Sequence, residues 1–325
     1  MAKEADGELR SDRDTNADRW LREVVRRVEG AEGLAKVARS SRRGDDLRAW
    51  CRSLVEAGDW KAALAAFEEA AELVADKEYA RGELLDGAAL AAQELGRKDP
   101  SRWLERAWRA EPSMLRLRRW LGATRGKEAL RKRAADAFAA CPKQARRQRA
   151  FLCLLKGGFG PAAKLLAAAP GLGWSNGEHP GHLLFPLLQG LLGGEPASSL
   201  ARAAGDPRRG LDIGDLELPA SDSDGPRLEA PEAGDLLRQA GIVAIPSGKA
   251  RAAVLAGMRK AAERRVAGVA EKKRRRYYGH AAELVAACLS CDRSPEALRW
   301  VASIRTEYRR FPALRAELDQ HSGSA

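Results

Sequence analysis

The sequence predicts an all-α protein whose helices stack in consecutive pairs as an α-solenoid. Three observations carry that reading: a composition suited to helices, amphipathic stripes that come in twos with a glycine break between them, and an approximate repeat of the paired unit. The chain has 325 residues, 45% of them hydrophobic and 31% charged. Its apolar residues are mostly Ala and Leu. These lose little rotamer freedom in a helix, whereas strands want β-branched and aromatic side chains.

The clearest pair covers residues 46–75. Leu47, Trp50, Cys51 and Leu54 form one stripe, Gly58-Asp59 breaks it, and Trp60, Ala63, Leu64, Phe67 and Ala70 form the second. Spacings of three and four place each set on one helical face. The small residues allow two helices to approach, and the large ones fill the groove between them. A second copy runs through Leu84, Leu85, Ala88, Ala89 and Ala92, breaks at Gly96, and resumes with Trp103, Leu104, Ala107 and Trp108. Ala70 and Ala107 are equivalent, so the repeat is 107 − 70 = 37 residues. A degraded third pair is read at 114–121 and 127–140. In a fourth, Gly157-Gly158-Phe159 mirrors Gly58-Asp59-Trp60. No pair can bury its face alone, so stacking is the physical solution.

Outside the repeats, a first helix is expected from Thr15 or Asn16 to Val28, with Trp20, Leu21, Val24, Val25 and Val28 on one face. Residues 183–192 read as a short buried helix, and residues 248 to about 271 as a long basic one. The domain reading is a tail over 1–14, a helical-repeat domain over 15–204, a Gly/Pro/Asp/Ser-rich linker over 205–232, a C-terminal helical segment over 233–320 and a tail over 321–325.

The motif search argues against an enzyme. Cys288-Leu289-Ser290-Cys291 is a lone CxxC, and zinc needs four ligands. The five cysteines are scattered and odd in number, which argues against a disulfide framework. His179 and His182 have the spacing of a metal or catalytic pair beside Glu178, but Pro180 interrupts any helix through them, and a loop that locks a helix start is the competing reading. Residues 221–225 (SDSDG) hint at a calcium loop that lacks its bidentate Glu. No phosphate loop and no nucleophile motif is present, so no cofactor and no metal are expected.

The strongest functional feature is charge. Net charge is +12. Residues 249–276 hold eleven Lys and Arg against Glu263 and Glu271, a local balance of 11 − 2 = +9. Lys272, Lys273, Arg274, Arg275 and Arg276 are consecutive and lead into Tyr277-Tyr278, with Arg259, Lys260, Arg264 and Arg265 about two to four turns earlier. Cations of this density attract phosphate, and an adjacent aromatic can stack on a base. The alternative is a solvated helix whose Arg stems cover apolar surface.

The paired stripes resemble the tetratricopeptide repeat, with Cys51 where that family has Gly or Ala. The stretch LGWSNGEHPGHLLFPLL at 172–188 resembles a phrase of bacterial helical-repeat proteins. Arg275-Arg276-Tyr277-Tyr278, Ala281-Ala282-Glu283-Leu284, Ile304-Arg305, Tyr308-Arg309-Arg310 and Ala313-Leu314 through Leu318 resemble their C-terminal repeat. The same pattern is similar to the helical region of larger bacterial SWIM zinc-finger proteins. The SWIM finger needs a C-x-C pair, and this sequence has none. The resemblance therefore implies a helical scaffold and a bacterial origin, without the finger or its DNA binding.

These readings favour a non-enzymatic scaffold that binds a protein partner, with a nucleic-acid accessory role through residues 249–278 as the alternative and a hydrolase centred on His179 and His182 a distant third. The longest apolar stretch, 183–192, is interrupted by Pro186, Gln189 and Gly190 and is too short to cross a bilayer. With a polar N-terminus that lacks an apolar signal core, the expected location is the cytoplasm.

Overall fold

The computed structural model describes residues 14–74, 80–97, 99–193 and 226–322. The tail readings for 1–13 and 323–325, the linker reading for 205–225 and the SDSDG segment lie outside the described residues. Within them the protein is all-α: 75% of the residues are helical and there is no strand. The chain divides into two compact units, with the break between Glu111 and Pro112.

Among its described residues the first unit holds five helices. Thr15 starts α1 (Asn16–Ser41) with a capping box: its hydroxyl accepts the Asp18 N–H at 3.2 Å, and the Asp18 carboxylate accepts the Thr15 N–H at 3.0 Å. Gly30, at φ 64° and ψ −148°, breaks the helical path and kinks α1. Next come α2 (Gly44–Glu56), α3 (Trp60–Leu73), α4 (Arg81–Glu94) and α5 (Ser101–Ala110), each packed on the helix before it. Ala63, Ala70, Ala88, Ala89, Ala92 and Ala107 are fully buried, as the repeat demands. A Cβ at Gly87 would lie 2.3 Å from the Phe67 ring, so the aromatic sits directly on the next helix. Trp60 and Phe67 are half-buried rather than enclosed.

The second unit contains α6 (Met114–Gly122), α7 (Lys127–Ala140), α8 (Arg146–Leu155), α9 (Phe159–Ala167), α10 (Gly181–Gly193), α11 (Ala233–Gln239), α12 (Lys249–Glu271), α13 (Tyr278–Cys291), α14 (Pro295–Glu307) and α15 (Pro312–Ser322). Pro186 lies inside α10 without ending it. The sequence sets 233–320 apart, but in the second unit they fold together with the helices from Pro112 onward. α11 packs on α6 and α8, and α12 packs along α9 so closely that a Cβ on Gly257 would sit 2.8 Å from the Ala163 carbonyl oxygen. The apolar face of α12 (Val254, Met258, Ala262, Val266, Val269) requires a partner surface, and α9, ending in its own small residues, supplies one.

Several helices end alike. At Gly58, Gly96, Gly157 and Gly241 the chain turns with positive φ. The N–H of each glycine returns to a carbonyl three residues back, and the next N–H to one five back. α12 ends with the same pair of bonds, Lys273 N–H to Ala270 and Arg274 N–H to Val269, but a lysine at φ 50° occupies the glycine slot.

Candidate functional site

The histidine pair sits in a packed aromatic setting. His179 is buried, and its Nε2 lies 2.9 Å from the Pro170 carbonyl while its Nδ1 accepts the Gly181 N–H at 3.0 Å. That arrangement holds the neutral tautomer with both nitrogens engaged. Burial depresses its basicity most, partly offset by the Pro170 bond, and the charges of Arg147 and Arg265 push the same way as burial. The buried Arg147 donates to the His179 carbonyl at 3.2 Å and to the Asn176 carbonyl at 3.0 Å, so the loop before α10 is bound to α8. His179, His182 and His280 surround Trp174, with ring centroids 4.9, 5.9 and 5.1 Å away. Trp174 is thus the hub where the loop, α10 and α13 meet. His280 is more than 90 residues away in sequence, and spacing alone could not have paired it with them.

The cysteines also read as packing. Burial raises the Cys51 thiol to about 12 and Cys141 to about 11, and it raises Cys153 and Cys288 as well, so none is a ready nucleophile. Among the described residues no group of three His, Cys, Asp or Glu could hold a metal ion.

The structure sorts the basic segment into two kinds of cation. Within α12, Arg259 is paired with Asp292 and, at 2.9 Å, with Glu296. Lys260 pairs with Glu263 at 2.9 Å. Arg264 donates to the Ala168 and Ala169 carbonyls at 3.1 and 3.3 Å, which neutralises the negative end of α9. Arg265 is buried, donates to the Gly171 carbonyl at 3.2 Å, and lies 5.0 Å from the Tyr277 ring centroid. Arg251 is likewise tied to the Leu192 and Cys291 carbonyls at 2.9 and 2.8 Å. Beyond the helix, Lys272, Lys273, Arg274, Arg275 and Arg276 are all exposed. They occupy the C-cap of α12 and a short 3-10 turn, Arg275–Tyr277, that leads into α13. Among the described residues none of their side chains has an acidic partner. Arg276 lies over Tyr277 at 4.7 Å, so that ring already carries guanidinium neighbours.

A second surface was not legible as such. Of the five apolar residues that share a face of α1, only Val25 packs against the core of the first unit. Trp20 is 69% exposed, Leu21 50%, Val24 53% and Val28 78%. The outer half of α1 is held instead by polar contacts: Arg22 bridges Asp14 at 2.6 Å and Asp46 at 2.8 Å, and Arg43 bridges Asp18 at 3.2 Å. Periodicity reports a stripe, not what covers it.

No helix among the described residues is long and apolar enough to cross a membrane. No model of a known protein family matches the chain, and no curated protein is similar to it at a significant level.

Proposed function

We propose that the chain is a non-enzymatic, cytoplasmic interaction scaffold, a tetratricopeptide-like α-solenoid related to the bacterial helical-repeat proteins it resembles, and that the outer half of α1 docks a protein partner. The observation that carries this reading is the run Trp20, Leu21, Val24 and Val28 on one helical face, all more than half or half exposed. Contiguous apolar surface of this kind marks interaction sites, and the Trp that begins it is a residue type that dominates docking energetics. The engagement of both His179 nitrogens and the burial that raises the thiols of Cys51, Cys141, Cys153 and Cys288 support a binding role over hydrolysis.

The test compares wild type with Trp20→Glu/Val28→Glu in affinity purification from the native host, with nuclease present throughout. The partner should be lost with the variant, while helix content and melting temperature stay unchanged because these side chains already face solvent. Recovery of the same partners by both proteins would refute the assignment of the docking face.

A further inference from the structure

We infer that the turn after α12 is a binding site for a nucleic-acid backbone, read through phosphate charge and without base recognition. Three observations converge on it. The first is the sorting of cations: Arg251, Arg259, Lys260, Arg264 and Arg265 all have carbonyl or carboxylate partners, whereas Lys272, Lys273, Arg274, Arg275 and Arg276 project into solvent with no acid to neutralise them. Among the described residues, their ring contact is that of Arg276 with Tyr277, and no carboxylate neutralises any of the five. Phosphates of a backbone would replace water around them and release condensed counterions.

The second is the identity of residue 273. The other helix ends with this hydrogen-bond pattern place glycine at the positive-φ position, because a Cβ there crowds the following carbonyl. Lys273 keeps a cation at the apex of the turn at the expense of backbone strain. A strained residue with no local structural return points to function at that position.

The third is what the fold brings alongside. Tyr308 feels the charges of Glu271 and Glu263 as well as that of its neighbour Glu307, which places the turn after α14 within electrostatic reach of the end of α12. Arg309 and Arg310 in that turn are exposed. Arg309 and Arg310 follow Tyr308 in the chain, and Glu307, Glu271 and Glu263 are the acids whose charges reach Tyr308. Tyr277 is flanked by Arg265 and Arg276, so a base cannot stack on it without displacing them. Recognition is accordingly of the backbone alone, and sequence preference is absent.

The experiment is a salt titration of binding to a labelled 20-nucleotide single strand and to the matching duplex, using the full chain. The turn variant is Lys272→Gln, Lys273→Asn, Arg274→Gln, Arg275→Gln and Arg276→Gln, with Asn at 273 because it tolerates positive φ. The control variant removes five exposed cations elsewhere: Arg52, Lys61, Lys132, Lys143 and Lys164, each to Gln. The turn variant should flatten the log–log salt dependence by up to about 4.5 on duplex, at about 0.9 per contact, and the control should leave the slope as in wild type. Lys273→Gly provides a test that misfolding cannot mimic: it should raise the melting temperature and at the same time lower the slope by about 0.9. No binding by wild type at low salt, equal slopes for turn variant and control, or tighter binding to polyglutamate than to either nucleic acid would overturn the proposal.

Discussion

Arg264 and Arg265 on α12 and Arg274 and Arg275 just past its end are pairs of adjacent arginines ten residues apart, and the sequence offers no means of telling them apart. The first pair faces α9 and the loop behind it and is engaged by backbone carbonyls. The second faces solvent. What separates them is the set of acceptors within reach. The end of a helix and the loop after it leave carbonyls unsatisfied, and a guanidinium can satisfy several at once. A cation on a turn meets no such acceptors and keeps its charge available. Dense positive charge is therefore two things in this protein, a fastener inside the second unit and a free surface at the end of α12.

The largest expected effect lies where the fastener side is tightest. A Cβ on Gly171 would stand 1.8 Å from the Arg264 carbonyl oxygen, with backbone on both sides. Gly171→Ala should cost about 3 kcal/mol in urea unfolding. A neutral result would show that α12 and the loop are not in contact and would dissolve the distinction. Next comes Arg265. Arg265→Ala leaves the Gly171 carbonyl without its donor and opens a cavity beside Trp174 and Tyr277, at a cost of about 2–3 kcal/mol. Arg265→Met should recover most of this, since the buried charge has no acid partner and its desolvation is relieved. If Met is as damaging as Ala, the charge itself is the fastener.

A pH titration sharpens the same contrast. His179 lies within electrostatic reach of Arg147 and Arg265, and burial keeps its folded pKa below the ordinary 6.5. The unfolded chain then binds the proton more readily, so this contribution is complete above pH 6.5 and is lost as pH falls toward the folded value. The loss should reach at most about 1.4 kcal/mol per pH unit. His179→Gln should flatten the dependence; an unchanged slope would assign it to other groups. The smallest effect is expected at the turn, where the five-residue neutral variant should shift stability by no more than about 0.5 kcal/mol. A larger loss would mean that these cations, too, are fasteners.

Local features were legible in the sequence and long-range ones were not. The glycine breaks at Gly58, Gly96 and Gly157 mark helix ends because positive φ is a local requirement, and Ala63, Ala70 and Ala107 mark close helix contacts because only a methyl fits. The four stripe residues on α1 looked the same as a core stripe, since periodicity is blind to whether a partner is present. The return of α12 onto α9 was hidden because its acceptors at Ala168 and Ala169 are 96 and 95 residues from Arg264. The spacing of His179 and His182 is visible in the sequence, but their setting depends on Trp174 and His280, which no local pattern relates. The cations at 272–276 form a unit visible in the sequence, but which cations of the segment are engaged depends on carbonyl partners far away in the chain.

The kink at Gly30 makes α1 two helices in mechanical terms. The segment after it contributes Leu34, Ala35 and Ala38 to the core, whereas the segment before it is anchored by Val25 and by ion pairs. A helix opens as a block when the interruption uncouples its hydrogen-bond ladder from the next turn. Amides from residue 20 to residue 29 should therefore exchange with solvent deuterium together, and faster than those from 34 to 41. Ionic strength should accelerate the first block more than the second, because the second adds the buried Leu34, Ala35 and Ala38 to its Arg39–Glu69 and Lys36–Glu29 pairs, and salt screens ion pairs and not buried methyl groups. The arm that carries Trp20 is in this sense a hinged reporter, and its protection is the quantity a bound partner would raise first.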